Sequence, residues 1–175
     1  MKINLFIFLV ICLFMIHEFE EIIFVKPWID NKSTTEQYSN EMWIKNKEAY
    51  PSAEIIALII FEEFILLFCI FLIASLTKFY ELAVGVTIAH TLHLIILHLI
   101  NTIRFCVFSP GIITSIITLP LLILIIILYC RKNKISWIKL CICTLASSII
   151  VLVNLRLLYK IAPLLDNWLN NFYKV

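Results

Sequence analysis

Five long apolar stretches follow one another along the chain, over about 3–25, 53–76, 82–105, 112–129 and 137–161. Each matches or approaches the roughly 20 residues that a helix needs to cross a bilayer. The runs are uninterrupted and rich in Ile and Leu, whereas a strand of a membrane barrel alternates at every second residue. The pattern predicts an all-α polytopic membrane bundle of about five transmembrane helices, a single integral membrane domain over 1–175. Ser52, after Pro51, is the expected N-cap of the second helix. Pro120 should kink the fourth helix or free a carbonyl, and Pro163 should end the fifth.

Polar positions are few and grouped. Residues 26–52 form the only sizeable polar segment, and its Trp28, Tyr38, Trp43 and Tyr50 suit a loop lying along the headgroup layer. The tail after Pro163, with Asp166, Trp168 and Phe172, reads as a second interfacial piece. Lys2 precedes the first apolar run, but no small-x-small cleavage site follows, so this run is a retained span rather than a signal peptide. The short loop Arg131-Lys132-Asn133-Lys134 has no acids. By the positive-inside rule it favours a cytoplasmic location for itself and for the N-terminus of a multi-pass cell-membrane protein.

Composition agrees with this picture and closes others. The chain is 62% hydrophobic and 15% charged, with mean hydropathy +1.01, where soluble domains carry about 25% charged residues. So apolar a chain is neither a soluble domain nor disordered. A net charge of +2 on scattered lysines leaves no nucleic-acid footprint. The six cysteines lie in or beside apolar runs without a C-x-x-C pair, and read as small hydrophobes.

Against that background the titratable groups stand out. All four histidines, His17, His90, His93 and His98, fall inside predicted spans, with Glu18, Glu20, Glu21, Glu62 and Glu63. A charged side chain at mid-bilayer costs about 2.5–3.5 kcal/mol on insertion scales, so these groups must be protonated, paired, hydrated or bound to a cation. At about 1.5 Å rise per residue, His17, Glu62 and His98 lie at one depth below the surface that carries the long loop. His17, Glu20 and Glu21 share a helix face at i, i+3 and i+4. Glu18 points elsewhere and reads as a snorkelling surface carboxylate. His90 and His93 share another face, as an adjoining rung of interhelical hydrogen-bond partners. On a regular helix His98 is turned away from both, so the third helix does not present its three histidines to one point. Asn154 and Arg156 on the fifth span are candidate counter-groups for these acids or else near-interface residues, and Arg104 is a candidate cationic partner for a site glutamate or else a contact for lipid phosphate.

His17-Glu18-Phe19-Glu20-Glu21 has the form H-x-x-E-E. Later come His98 and the segment Phe108-Ser109-Pro110-Gly111-Ile112-Ile113-Thr114. Together they resemble the HXXEE-domain integral membrane proteins, with their later histidine and aromatic-x-P-G-x-x-T segment; here Phe108 stands where Tyr is commoner. Trp28 also fits. The resemblance runs from about His17 to Pro120 and implies a membrane-embedded polar site with enzymatic activity, without naming a substrate.

Three functions fit these residues. The leading one is an intramembrane metal site, because imidazole and carboxylate suit zinc, iron or manganese. Its expected ligands are His17, Glu21, Glu62 and His98, with Glu20, Glu63 and His93 as general bases or supports, acting on a lipid-like substrate by hydrolysis or oxidation. The second is a metal-free Glu–His isomerase for a sterol- or isoprenoid-like substrate. The third is a small transporter, proton relay or structural bundle. Nucleophile elbows, H-E-x-x-H helices and Gly-rich phosphate loops are absent from the sequence.

Overall fold

The structure, a computed structural model, describes residues 1–31, 51–106 and 108–172. Among these residues it has five helices: α1 (Ile3–Asp30), α2 (Ala53–Thr77), α3 (Tyr80–Phe105), α4 (Ile112–Lys132) and α5 (Trp137–Phe172). No strand occurs among the described residues. Helices α2 to α5 are each long and apolar enough to cross a membrane. The second half of α1 is different, since it carries His17, Glu18, Glu20 and Glu21. Most of the expected interfacial loop, at 32–50, lies outside the described residues.

Helix ends depart from expectation at two prolines. Pro27 lies inside α1, which runs on to Asp30, so the first helix does not stop at Val25. Pro163 lies inside α5, which continues to Phe172, so the C-terminal tail is an extension of the last helix. The extension is held by packing. Ala162 meets Ile55 and Ile59 of α2 in a small core joined by Leu165 and Leu169. The Ser52 hydroxyl donates to Asp166 at 2.8 Å and also caps α2 by accepting from the Ile55 N–H. These contacts offset the single backbone hydrogen bond that a proline removes. Pro120 also lies within its helix.

The main core joins all five helices through residues such as Phe6, Phe14, Phe71, Val84, Leu122, Tyr129 and Leu140. Phe6 of α1 and Tyr129 of α4 bring their rings within 4.7 Å. Outward positions stay apolar, as Ile116, Ile142 and Leu152 do with more than half of each side chain exposed. A continuous apolar exterior of this kind suits lipid rather than water.

Helices α3 and α5 come into close contact at Gly85. A Cβ there would sit 2.8 Å from Cys143 Cβ and 2.9 Å from the Thr144 backbone nitrogen, so the backbones touch where a side chain is missing, as small residues allow in membranes. Gly85→Ala is expected to cost about 1–3 kcal/mol by overpacking. Unfolding of the detergent-solubilised protein by heat or denaturant measures it. An unchanged transition would mean that the helices are not in this contact.

Candidate metal centre

The arrangement of histidines depends on how α3 is wound. Its middle, Leu94–Ile100, is a π-helical turn. On a regular α-helix residues five apart point about 140° apart. A π-turn hydrogen-bonds i to i+5 and brings them into one stack. His93 and His98 therefore face the same way, with ring centroids 5.5 Å apart. This corrects the expectation that the third helix would split its histidines. His17 of α1 meets them at 4.7 Å from His98 and 6.5 Å from His93. Glu21 follows one turn after His17. His17, Glu21, His93 and His98 each offer a ligand atom, and these four atoms lie within 4.8 Å of one another.

The turn into α4 sets which ring nitrogens are used. The Pro110 carbonyl lies 3.0 Å from His98 Nδ1. A carbonyl only accepts, so Nδ1 carries the proton and Nε2 of the neutral ring keeps its lone pair. Thr114 does the same for His17. Its hydroxyl donates to Glu20 Oε2 at 2.6 Å, and His17 Nδ1 lies 3.0 Å from the Thr114 hydroxyl oxygen, which is left to accept. The Thr114 N–H also donates to Glu20 Oε2, at 2.7 Å. Gly111 lies between the two rings. With φ of +82° it occupies the left-handed region, and a Cβ there would come within 2.5 Å of His98 and 3.0 Å of His17. In P-G-x-x-T, proline's carbonyl orients one imidazole, glycine makes room for both, and threonine orients the other.

Both Nε2 atoms are thereby directed at one carboxylate. His98 Nε2 is 3.1 Å from Glu21 Oε1, and His17 Nε2 is 3.7 Å from the same oxygen. Neither nitrogen has a hydrogen-bond partner despite its burial, so the 3.1 Å contact lacks hydrogen-bond direction. With both rings neutral, two lone pairs converge on an acceptor oxygen, an arrangement that repels unless a cation or proton lies between them. Three imidazoles and a carboxylate, two of the rings held through their outer nitrogens, fit a transition metal.

The model of the family described as a protein of unknown function with HXXEE motif matches residues 8–125. The chain belongs to this family. No curated protein and no solved structure matches it. In this HXXEE protein the family's spaced histidine and glutamates bound one polar centre, and the P-G-x-x-T segment is the scaffold that orients it.

The other expected site residues are distributed differently. Glu62 does not reach the cluster; its Oε2 accepts from Asn154 Nδ2 of α5 at 2.7 Å. It points across the bundle because its neighbour Glu63, about 100° further round α2, takes the inner face. Glu63 lines the cavity beside the cluster with His93, and its Oε1 is buried without a partner. Glu20 is committed to Thr114. His93, expected as a base or hydrogen-bond partner, stands among the ligand atoms. His90 lies next to them, 6.0 Å from the His17 ring and 5.1 Å from Phe14. Glu18 is 4% exposed, which corrects its reading as a surface carboxylate: α2 and α3 cover that face of α1. Arg104 lies exposed with its guanidinium 5.2 Å from the centre of the Phe105 ring, and among the described residues it forms no ion pair with a glutamate. Sequence reasoning missed the joint use of His93 and His98. The five-residue spacing of two polar residues within an apolar helix was the available signal.

Thr114→Val removes the hydroxyl shared by His17 and Glu20 and is expected to cost about 1–3 kcal/mol, the penalty for stranding buried polar groups. Thr114→Ser should keep the bond and most of the stability. Thermal unfolding in detergent compares the two, and equal loss from both would remove the hydroxyl from this role.

Proposed function

We propose that this HXXEE protein is an intramembrane metal-dependent enzyme, of hydrolase or oxidase type, acting on a lipid-like substrate. The observation that carries the proposal is the convergence of four ligand atoms within 4.8 Å, with the outer nitrogens of two rings already engaged by Pro110 and Thr114. His17, His93, His98 and Glu21 hold the ion. A bound ion supplies Lewis acidity that polarises a carbonyl or activates water. Four protein ligands would saturate zinc in its usual four-coordinate form, whereas six-coordinate iron or manganese keeps room for a reactant. The donor set thus favours the latter two.

The remaining residues orient and move protons. Glu20, through Thr114, keeps the His17 proton on Nδ1, and the Pro110 carbonyl does so for His98. Glu63 has a free, buried carboxyl oxygen on the cavity wall, which suits a proton acceptor beside the reacting group. Metal-free transfer between His98 and Glu21 is the competing reading, because their 3.1 Å approach also suits a protonated imidazole beside a carboxylate.

Element analysis of protein purified without chelator decides between them. About one equivalent of iron, manganese or zinc per chain is expected, falling to roughly a tenth in His17→Ala or His93→Ala, since the ion requires its full ligand set. Glu62→Gln should retain the metal, and Thr114→Val should weaken its affinity by roughly 10–100-fold. Protein that stays metal-free after incubation with each of the three ions would overturn the proposal.

A further inference from the structure

A second cavity, of about 310 Å³, lies between α1, α2, α3 and α5. Its volume falls at the lower end of the roughly 300–1,000 Å³ usual for ligand sites. The walls are apolar, with Val86, Ala89 and Val151 among them. Leu92, Ile96 and Leu152 line it too, and they are also exposed on the outside of the bundle. The mouth is therefore on the lipid-facing surface of apolar helices. At its inner end Glu18, Glu63 and His93 belong also to the smaller cavity, which reaches Glu21 and His98. The two cavities thus adjoin beside the candidate metal centre, sharing the Glu18, Glu63 and His93 side chains.

The inner end of the larger cavity has a chemical preference. Glu63 Oε1 is buried and unpartnered. Glu18 is 4% exposed, and no described residue hydrogen-bonds its side chain. A buried carboxyl oxygen without a partner, with a second buried carboxyl group beside it and an apolar cavity in front, welcomes a neutral hydrogen-bonding head such as a hydroxyl. The cavity suits one hydrocarbon chain, and a phosphate or carboxylate head would carry its charge into an apolar lining that includes no Lys or Arg among the described residues.

We propose that this cavity binds the single chain of a long-chain alcohol, drawn sideways from the bilayer, with its hydroxyl donating to Glu63 or Glu18 beside the centre. The proposal rests on the enzyme reading for its purpose, but the binding itself is separable from the metal. A long-chain alcohol bearing a diazirine at its tail provides the probe, with the protein in nanodiscs and adducts mapped by mass spectrometry. Saturable labelling is expected in the segments carrying Val86 to Ala89 and Val151 to Leu155. An unlabelled long-chain alcohol should compete, and the corresponding fatty acid anion should not.

Ala89→Phe fills the cavity and is expected to lower saturable labelling by roughly tenfold or more while leaving metal content unchanged, which also reports that the variant folds. His98→Ala should do the reverse, losing metal and keeping the label. Uniform, non-saturable labelling of the outer helix faces, or equal competition by the fatty acid in the parent protein, overturns the proposal. Labelling without metal in the parent protein would sink the enzyme reading and leave the lipid site standing.

Discussion

A histidine that gives its Nδ1 proton to a backbone carbonyl has only its other nitrogen left to offer. The bond from His98 to the Pro110 carbonyl imposes that constraint at the centre of this bundle. His98 is buried among apolar helices where water is scarce, so its Nδ1–H cannot trade this partner for another without leaving a buried donor bare. Once His98 is so oriented, Glu21 must lie opposite its Nε2, His17 must approach from the same side, and Gly111 must stay without a side chain. The donors of the centre, the turn that supports it and the start of α4 are thus one unit.

The glutamates of α1 show how a short polar run is divided among tasks by helix geometry alone. Glu21, one turn beyond His17, faces the imidazoles. Glu20, a step back, reaches Thr114 on α4. Glu18 turns toward α2 and the apolar cavity. Three acids within four residues thus take candidate-ligand, orienting and cavity-lining positions, and each lies against a different neighbouring helix.

Much of this was legible without coordinates. Apolar run lengths located all five helices, because hydrophobic length is a one-dimensional property. The i, i+4 relation of His17 and Glu21 held, because it is local to one helix. What failed was non-local or depended on backbone irregularity. Pro163 does not end α5, since Ala162 and Asp166 find partners on α2 that no local rule contains. Glu62 and Glu63 are adjacent in sequence, and only the neighbours of α2 decide which one points inward. His93 reads from the sequence as a base or support rather than a ligand because regular helical geometry turns it from His98, and nothing in Leu94–Ile100 announces a π-turn by residue type.

That π-turn links two quantities usually treated as separate, the number of residues between two ligands and the hydrogen-bond period of the helix carrying them. Five residues with a π-turn and four with an ordinary α-turn both stack the side chains on one face. A related chain with one residue fewer between these histidines could keep the same centre on a regular helix. A chain with this spacing and a regular helix could not. Insertions and deletions at this point of α3 are therefore to be judged together with the winding, since a gap that looks disruptive in an alignment can be the change that preserves the site.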